Sequence, residues 1–64
     1  MQLTLNGKLH QFEGATIREL LDQLGLHGRL AVEVNQEIVP KGEHAAYRLA
    51  EGDVVEIVHA IGGG

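Results

Sequence analysis

The residues that close this chain, Ala60-Ile61-Gly62-Gly63-Gly64, include the one group whose type and setting point to chemistry. Three successive glycines carry no Cβ, so their backbone can enter a slot that a side chain would block. Glycine also loses more conformational freedom on ordering than any other residue, so stability does not explain such a run. We read the carboxyl carbon of Gly64 as the working atom, with Ile61, Gly62 and Gly63 as the tail that inserts it into something. The competing account is an ordinary frayed end, because disorder concentrates at termini. Ordering a residue costs about 1–2 kcal/mol, so threading four of them costs roughly 4–8 kcal/mol. Contacts between the partner and the folded portion of the chain must offset that cost.

Other chemistry has less support. His10, His27, His44 and His59 show no metal-ligand spacing on one element, and there is no cysteine to complete a zinc site. Solvated or partly packed histidines are the simpler expectation. Glu51, Asp53 and Glu56 fit a turn and the wet face of a strand better than an acid–base set in a pocket. Gly14-Ala15-Thr16 lacks the glycine and lysine spacing of a phosphate loop. Lys8, Arg18, Arg29, Lys41 and Arg48 form no run, and the net charge of −4 disfavours nucleic acid and anionic membranes. No catalytic group, metal or bound cofactor is expected in this chain itself.

The elements that must hold the tail are legible in the patterning. Sixty-four residues make one domain, marginal in size, and an apolar content of 44% fits a globular chain. The only large aromatics are Phe12 and Tyr47, so leucine, isoleucine and valine must fill the core. Met1 opens a strand-like pattern with no basic stretch and no long apolar run, so a cytoplasmic location is the expectation.

Residues 1–6 alternate with period two, placing Met1, Leu3 and Leu5 on one face. Asn6-Gly7 is a strong hairpin signal, with the returning strand over residues 8–13 and Phe12 as its core anchor. Thr16-Ile17-Arg18-Glu19 reads as a capping box. Ile17, Leu20, Leu21 and Leu24 form a helical stripe that Gly25 can end in a left-handed cap. Strands are expected over residues 30–34 and 37–39, joined at Asn35-Gln36 and stopped by Pro40. A loop follows, pinned by Tyr47 and Leu49, with a 3₁₀ turn around residues 43–46. Residues 54–59 make the most apolar strand, expected at the sheet centre and parallel to the first.

This order of hairpin, helix, strand, short strand, loop and final strand resembles the β-grasp, or ubiquitin-like, fold. That is an α+β architecture: a mixed sheet of about four to five strands with one main helix across it. Several stretches narrow the resemblance: Met1-Gln2-Leu3-Thr4-Leu5-Asn6-Gly7, Thr16-Ile17-Arg18-Glu19-Leu20-Leu21, and Val34-Asn35-Gln36-Glu37-Ile38-Val39-Pro40. The most telling are Gly52-Asp53-Val54-Val55-Glu56-Ile57-Val58-His59 and the closing Ile61-Gly62-Gly63-Gly64. Together they resemble the ThiS family, the sulfur carriers of thiamine thiazole biosynthesis. On that resemblance residues 1–60 form the β-grasp domain and 61–64 a flexible tail ending in the reactive glycine.

The resemblance implies that the chain is a protein co-substrate rather than an enzyme. An adenylating, ubiquitin-activating-like enzyme of the ThiF type would use ATP to convert the Gly64 carboxylate to an acyl adenylate. A persulfide sulfur, from a cysteine desulfurase relay, would then displace AMP and leave a thiocarboxylate. A thiazole synthase of the ThiG type would receive the sulfur, and Gly62 and Gly63 would thread the active-site channels of both enzymes, with Ile61 seating the base of the tail. Partner docking falls to the outward face of the last strand. Val54 and Val58 share one face and Val55 and Ile57 the other; we expect Val55 and Ile57 in the core and Val54 and Val58 on the docking surface. The acidic balance favours partners with a basic rim. The alternatives are the small subunit of molybdopterin synthase, a protein modifier joined by isopeptide bonds, and a non-covalent interaction module that does not need Gly64.

Overall fold

The computed structural model describes residues 1–59. The expected domain boundary at residue 60 and the tail over 61–64 lie outside the described residues. β1 (Gln2–Leu5) and β2 (Lys8–Gln11) pair antiparallel, with Leu3 opposite His10 and Leu5 opposite Lys8. Asn6 and Gly7 join them at φ of 48° and 84°, the left-handed pair that matches a two-residue turn to strand twist. β2 is shorter than expected. Its Gln11 already faces Gln2, the first residue of β1, so little partner chain is left beyond it. One further bond, from the Phe12 N–H to the Met1 carbonyl at 2.8 Å, closes the ladder. Phe12 then turns into the core and is fully buried.

The helix α1 (Ile17–Leu24) starts where the sequence signals it. The Glu19 N–H donates to Thr16 Oγ1 at 3.3 Å, while Glu19 Oε1 accepts from the N–H groups of Ala15 at 2.7 Å and Thr16 at 2.9 Å. At the other end Gly25 takes φ of 70°. Its N–H donates to the Asp22 carbonyl, and the Leu26 N–H reaches back to Leu21, which satisfies carbonyls that a helix end leaves open. A helix of eight residues is too short to persist alone. It is held by Ile17, Leu20 and Leu21, all buried.

β3 (Leu30–Val34) and β4 (Glu37–Val39) pair antiparallel through the turn at Asn35-Gln36, and β5 (Val54–His59) completes the sheet. Its order is β2-β1-β5-β3-β4, with β5 central, parallel to β1 and antiparallel to β3. This five-stranded mixed sheet with one helix across it is the β-grasp arrangement. Leu3, Val32, Val34, Val55 and Ile57 meet Phe12 and the helix stripe in one core, and Met1, Leu5 and Leu24 pack at its margin.

The loop after Pro40 differs in detail from expectation. Its 3₁₀ turn spans Lys41–Glu43, immediately after the proline, whose φ of −59° leads into it. His44, expected to be solvated or partly packed, is 3% exposed. Its Nε2 lies 3.0 Å from the Val39 carbonyl, so an N–H there supplies the hydrogen bond that a buried imidazole needs. Leu49 is buried and Tyr47 packs against the core. The Leu49 N–H donates to Ala15 at 2.7 Å, and the Ile17 N–H to Tyr47 at 3.2 Å, which ties this loop to the start of α1.

Two consequences can be measured. A Cβ at Gly14 would lie 2.6 Å from Cζ of the buried Phe12 ring, so Gly14→Ala should cost about 1–3 kcal/mol in urea unfolding. The N–H groups of Ala15 and Thr16 hold the Glu19 carboxyl below the usual carboxylate range. A lowered folded pKa adds stability that is present above the unfolded value and lost as pH falls through the folded one. Glu19→Gln should therefore be less stable than the parent at neutral pH, and the two should converge below about pH 4.3, the ordinary glutamate value. Urea midpoints measured down a pH series would show that convergence.

Candidate functional site

Ile61, Gly62, Gly63 and Gly64 lie outside the described residues. The structure instead shows how the strand that leads to them is held. Val55 and Ile57 are buried, whereas Val54 is 41% and Val58 56% exposed. One face of β5 therefore belongs to the core, and the other carries the two valines assigned to docking.

The edges of β5 are held by side chains as well as by strands. On the β1 side, paired residues run only from Thr4–Val54 to Leu5–Val55, because the chain turns away at Asn6. The Asn6 N–H still donates to the Val55 carbonyl at 2.9 Å. Its side chain then takes the place of a strand residue: Oδ1 accepts from the Ile57 N–H at 2.8 Å and Nδ2 donates to the Ile57 carbonyl at 3.3 Å. On the β3 side Asn35 does the same at the start of β5. Its N–H donates to the Val54 carbonyl at 2.7 Å, and its Oδ1 accepts from the Val54 N–H at 3.0 Å. Asn35 Nδ2 also donates to Asp53 at 3.1 Å, and Asp53 accepts from the Ala50 N–H at 2.8 Å, so the turn before β5 joins the clamp.

The sequence marks Asn6 and Asn35 as turn residues and hides this second role. The signal was available: each is an asparagine that takes the first turn position after a strand flanking β5.

A shallow cleft of about 190 Å³ lies beside the end of α1, bordered by Arg18, Asp22, His27, Lys41 and His44. Arg18 and Asp22 approach at 3.7 Å across one helical turn, both well exposed, a contact worth little in water. The cleft is smaller than sites that enclose a ligand. Among the described residues no group of three or more His, Cys, Asp or Glu is placed to hold a metal ion, and no helix is long and apolar enough to cross a membrane. The described feature next to the glycine segment in sequence is the central strand, clamped on both edges, which ends at His59.

Asn6→Gly keeps the left-handed turn and removes only the clamp. It should cost about 1–2 kcal/mol and speed hydrogen exchange at the Ile57 amide more than at amides of β3. Uniform exchange changes across the sheet would contradict a local clamp.

Comparison with known proteins agrees with this architecture. A family model described as the ThiS family matches residues 3–64. A thiazole synthase of Paramagnetospirillum magneticum is 46% identical over 66 residues that take in the whole chain. The chain spans 20% of that relative's length. The sulfur carrier protein ThiS of Bacillus subtilis is 40% identical over 65 residues, covering 97% of this chain and 98% of the relative. The crystal structure of the thiamine biosynthesis protein ThiS from Geobacter metallireducens superimposes with a TM-score of 0.86 at 35% identity over the whole of both chains. With its sheet order, its helix and nearly its full length accounted for in these terms, the chain belongs to the ThiS family.

Proposed function

We propose that this chain is a sulfur carrier for thiamine thiazole formation and that Gly64 carries the sulfur. The reading rests on one observation: a domain matched to the ThiS family over residues 3–64 has its central, doubly clamped strand followed in sequence by Ile61-Gly62-Gly63-Gly64.

A carboxylate is a poor electrophile, so the chemistry begins with activation. A carboxylate oxygen of Gly64 attacks the α-phosphorus of ATP on the adenylating partner, and pyrophosphate leaves. The acyl adenylate then accepts the terminal sulfur of a persulfide at the Gly64 carboxyl carbon, and AMP departs. A second thiol cleaves the sulfur–sulfur bond, which leaves a thiocarboxylate on Gly64 and a disulfide behind. The thiocarboxylate donates its sulfur on a thiazole synthase. All reacting groups other than Gly64 belong to the partners, and a cytoplasmic location accompanies a reaction that consumes ATP. In the P. magneticum relative a segment 46% identical to this chain occurs in a protein named thiazole synthase, which supports that enzyme as a partner. The relatives named as ThiS favour this pathway over molybdopterin synthesis.

Intact mass spectrometry of the protein from thiamine-starved cells is the direct test. Exchange of one oxygen for sulfur has the same nominal mass as oxidation of Met1, so fragmentation must place the gain on the last residues, and a thiol alkylator should trap it. Removal of Gly63 and Gly64 should leave a folded domain with no carrier activity. Retained activity in that truncation would point to a non-covalent module. A Gly64 that never gains sulfur, even with adenylating enzyme, ATP and persulfide supplied, would point to protein tagging.

A further inference from the structure

The sheet face turned away from α1 carries a pairing that the fold does not explain. Pleating puts Val54, Glu56 and Val58 on this face, because Val55 and Ile57 point into the core. The registers then arrange the face in rows. Thr4 stands between Leu9 and Val54, Glu33 between Ile38 and Glu56, and Ala31 beside Val58. Leu9, Ile38, Val54 and Val58 are the large apolar side chains left exposed among the described residues. In their midst Glu33 and Glu56 lie directly opposite each other on neighbouring strands. Like charges in that position destabilise a sheet. No lysine or arginine occupies the outward positions of these strands, and neither glutamate forms an ion pair among the described residues.

Two unfavourable features thus coincide, an exposed apolar surface and an unneutralised pair of like charges at its centre. A partner that supplies a cation within an apolar surround removes both. We propose that this face docks the adenylating enzyme through an arginine or lysine seated between the Glu33 and Glu56 carboxylates, with apolar residues packed on Val54, Val58 and Ile38. A guanidinium suits the site best, since its planar fork can serve two carboxylates at once. The inference rests on the carrier reading above and gives the partner a definite chemistry. It also sets a distance. Gly64 follows Glu56 by eight residues, so the reacting carboxyl lies at most about 26–29 Å along the chain from the Glu56 backbone. A second copy of the chain is a poor occupant, because it would bring four carboxylates together.

Steady-state adenylation assays with the adenylating enzyme, varying the carrier, test the proposal. Glu33→Gln/Glu56→Gln should raise KM for the carrier at least about tenfold with kcat unchanged, as loss of a docking charge does. The same variant should be as stable as the parent or more so in urea, because a repulsion has been removed. Salt should raise the parent's KM more than the variant's. Glu13→Gln/Glu43→Gln, which removes as much charge from elsewhere on the surface, should leave KM within about twofold.

Unchanged KM in the first variant overturns the proposal, as does an equal rise in the second, which would mean that only total charge matters. Self-association of the first variant with KM unchanged would assign the glutamates to keeping copies apart, and it also overturns the proposal. A parent chain that is never adenylated overturns the carrier reading and this inference together, and so is distinguished from failure of the docking face alone.

Discussion

The whole arrangement depends on β5 being satisfied along both edges while leaving one face open. Its backbone lies at the sheet centre, where an unpaired N–H or carbonyl is expensive. β1 is too short to pair with all of it. The Asn6 side chain fills the gap opposite Ile57, and Asn35 fills the corresponding gap opposite Val54. The left-handed angles at Asn6 and Asn35 serve the same end, since they turn the chain while aiming each amide at β5. With its edges held this way, β5 needs no helix on its outer face, and that face stays available.

Most of the fold was legible because its signals are local. The capping box, the glycine at the helix end, the Asn-Gly turn and Pro40 each act within a few residues, and the helix and three strands follow those signals. What escaped depends on register between distant segments. His44 looks like any surface histidine until the 3₁₀ turn brings its ring against the Val39 carbonyl. Glu33 and Glu56 are unremarkable apart and become a pair only when β3 and β5 align. Phe12 was readable as a core residue, yet not as one beyond the end of its strand, because that end is fixed by where β1 begins. The glycine segment is the opposite case, legible in composition alone.

The division of labour has an energetic logic. In the proposed carrier, ordering the glycine segment in a partner would cost several kcal/mol, and the segment has no side chains beyond Ile61 with which to offset it. Affinity would then have to come from the folded domain, whose open face carries Leu9, Ile38, Val54 and Val58. A core of only about a dozen buried side chains must meanwhile keep that face flat and exposed. The clamps at Asn6 and Asn35 help it do so without adding length to the chain.

The parallel run of β1 beside β5 has a mechanical consequence. The chain leaves β5 at His59, so tension applied through the following residues acts along the strand axis. Its ladder bonds to β1 and β3 lie across that axis and share the load in shear, whereas bonds in an end hairpin such as β1–β2 would break in succession. A pull of that kind on the end of β5 would therefore load the ladder as a whole and would not peel the domain open from that strand.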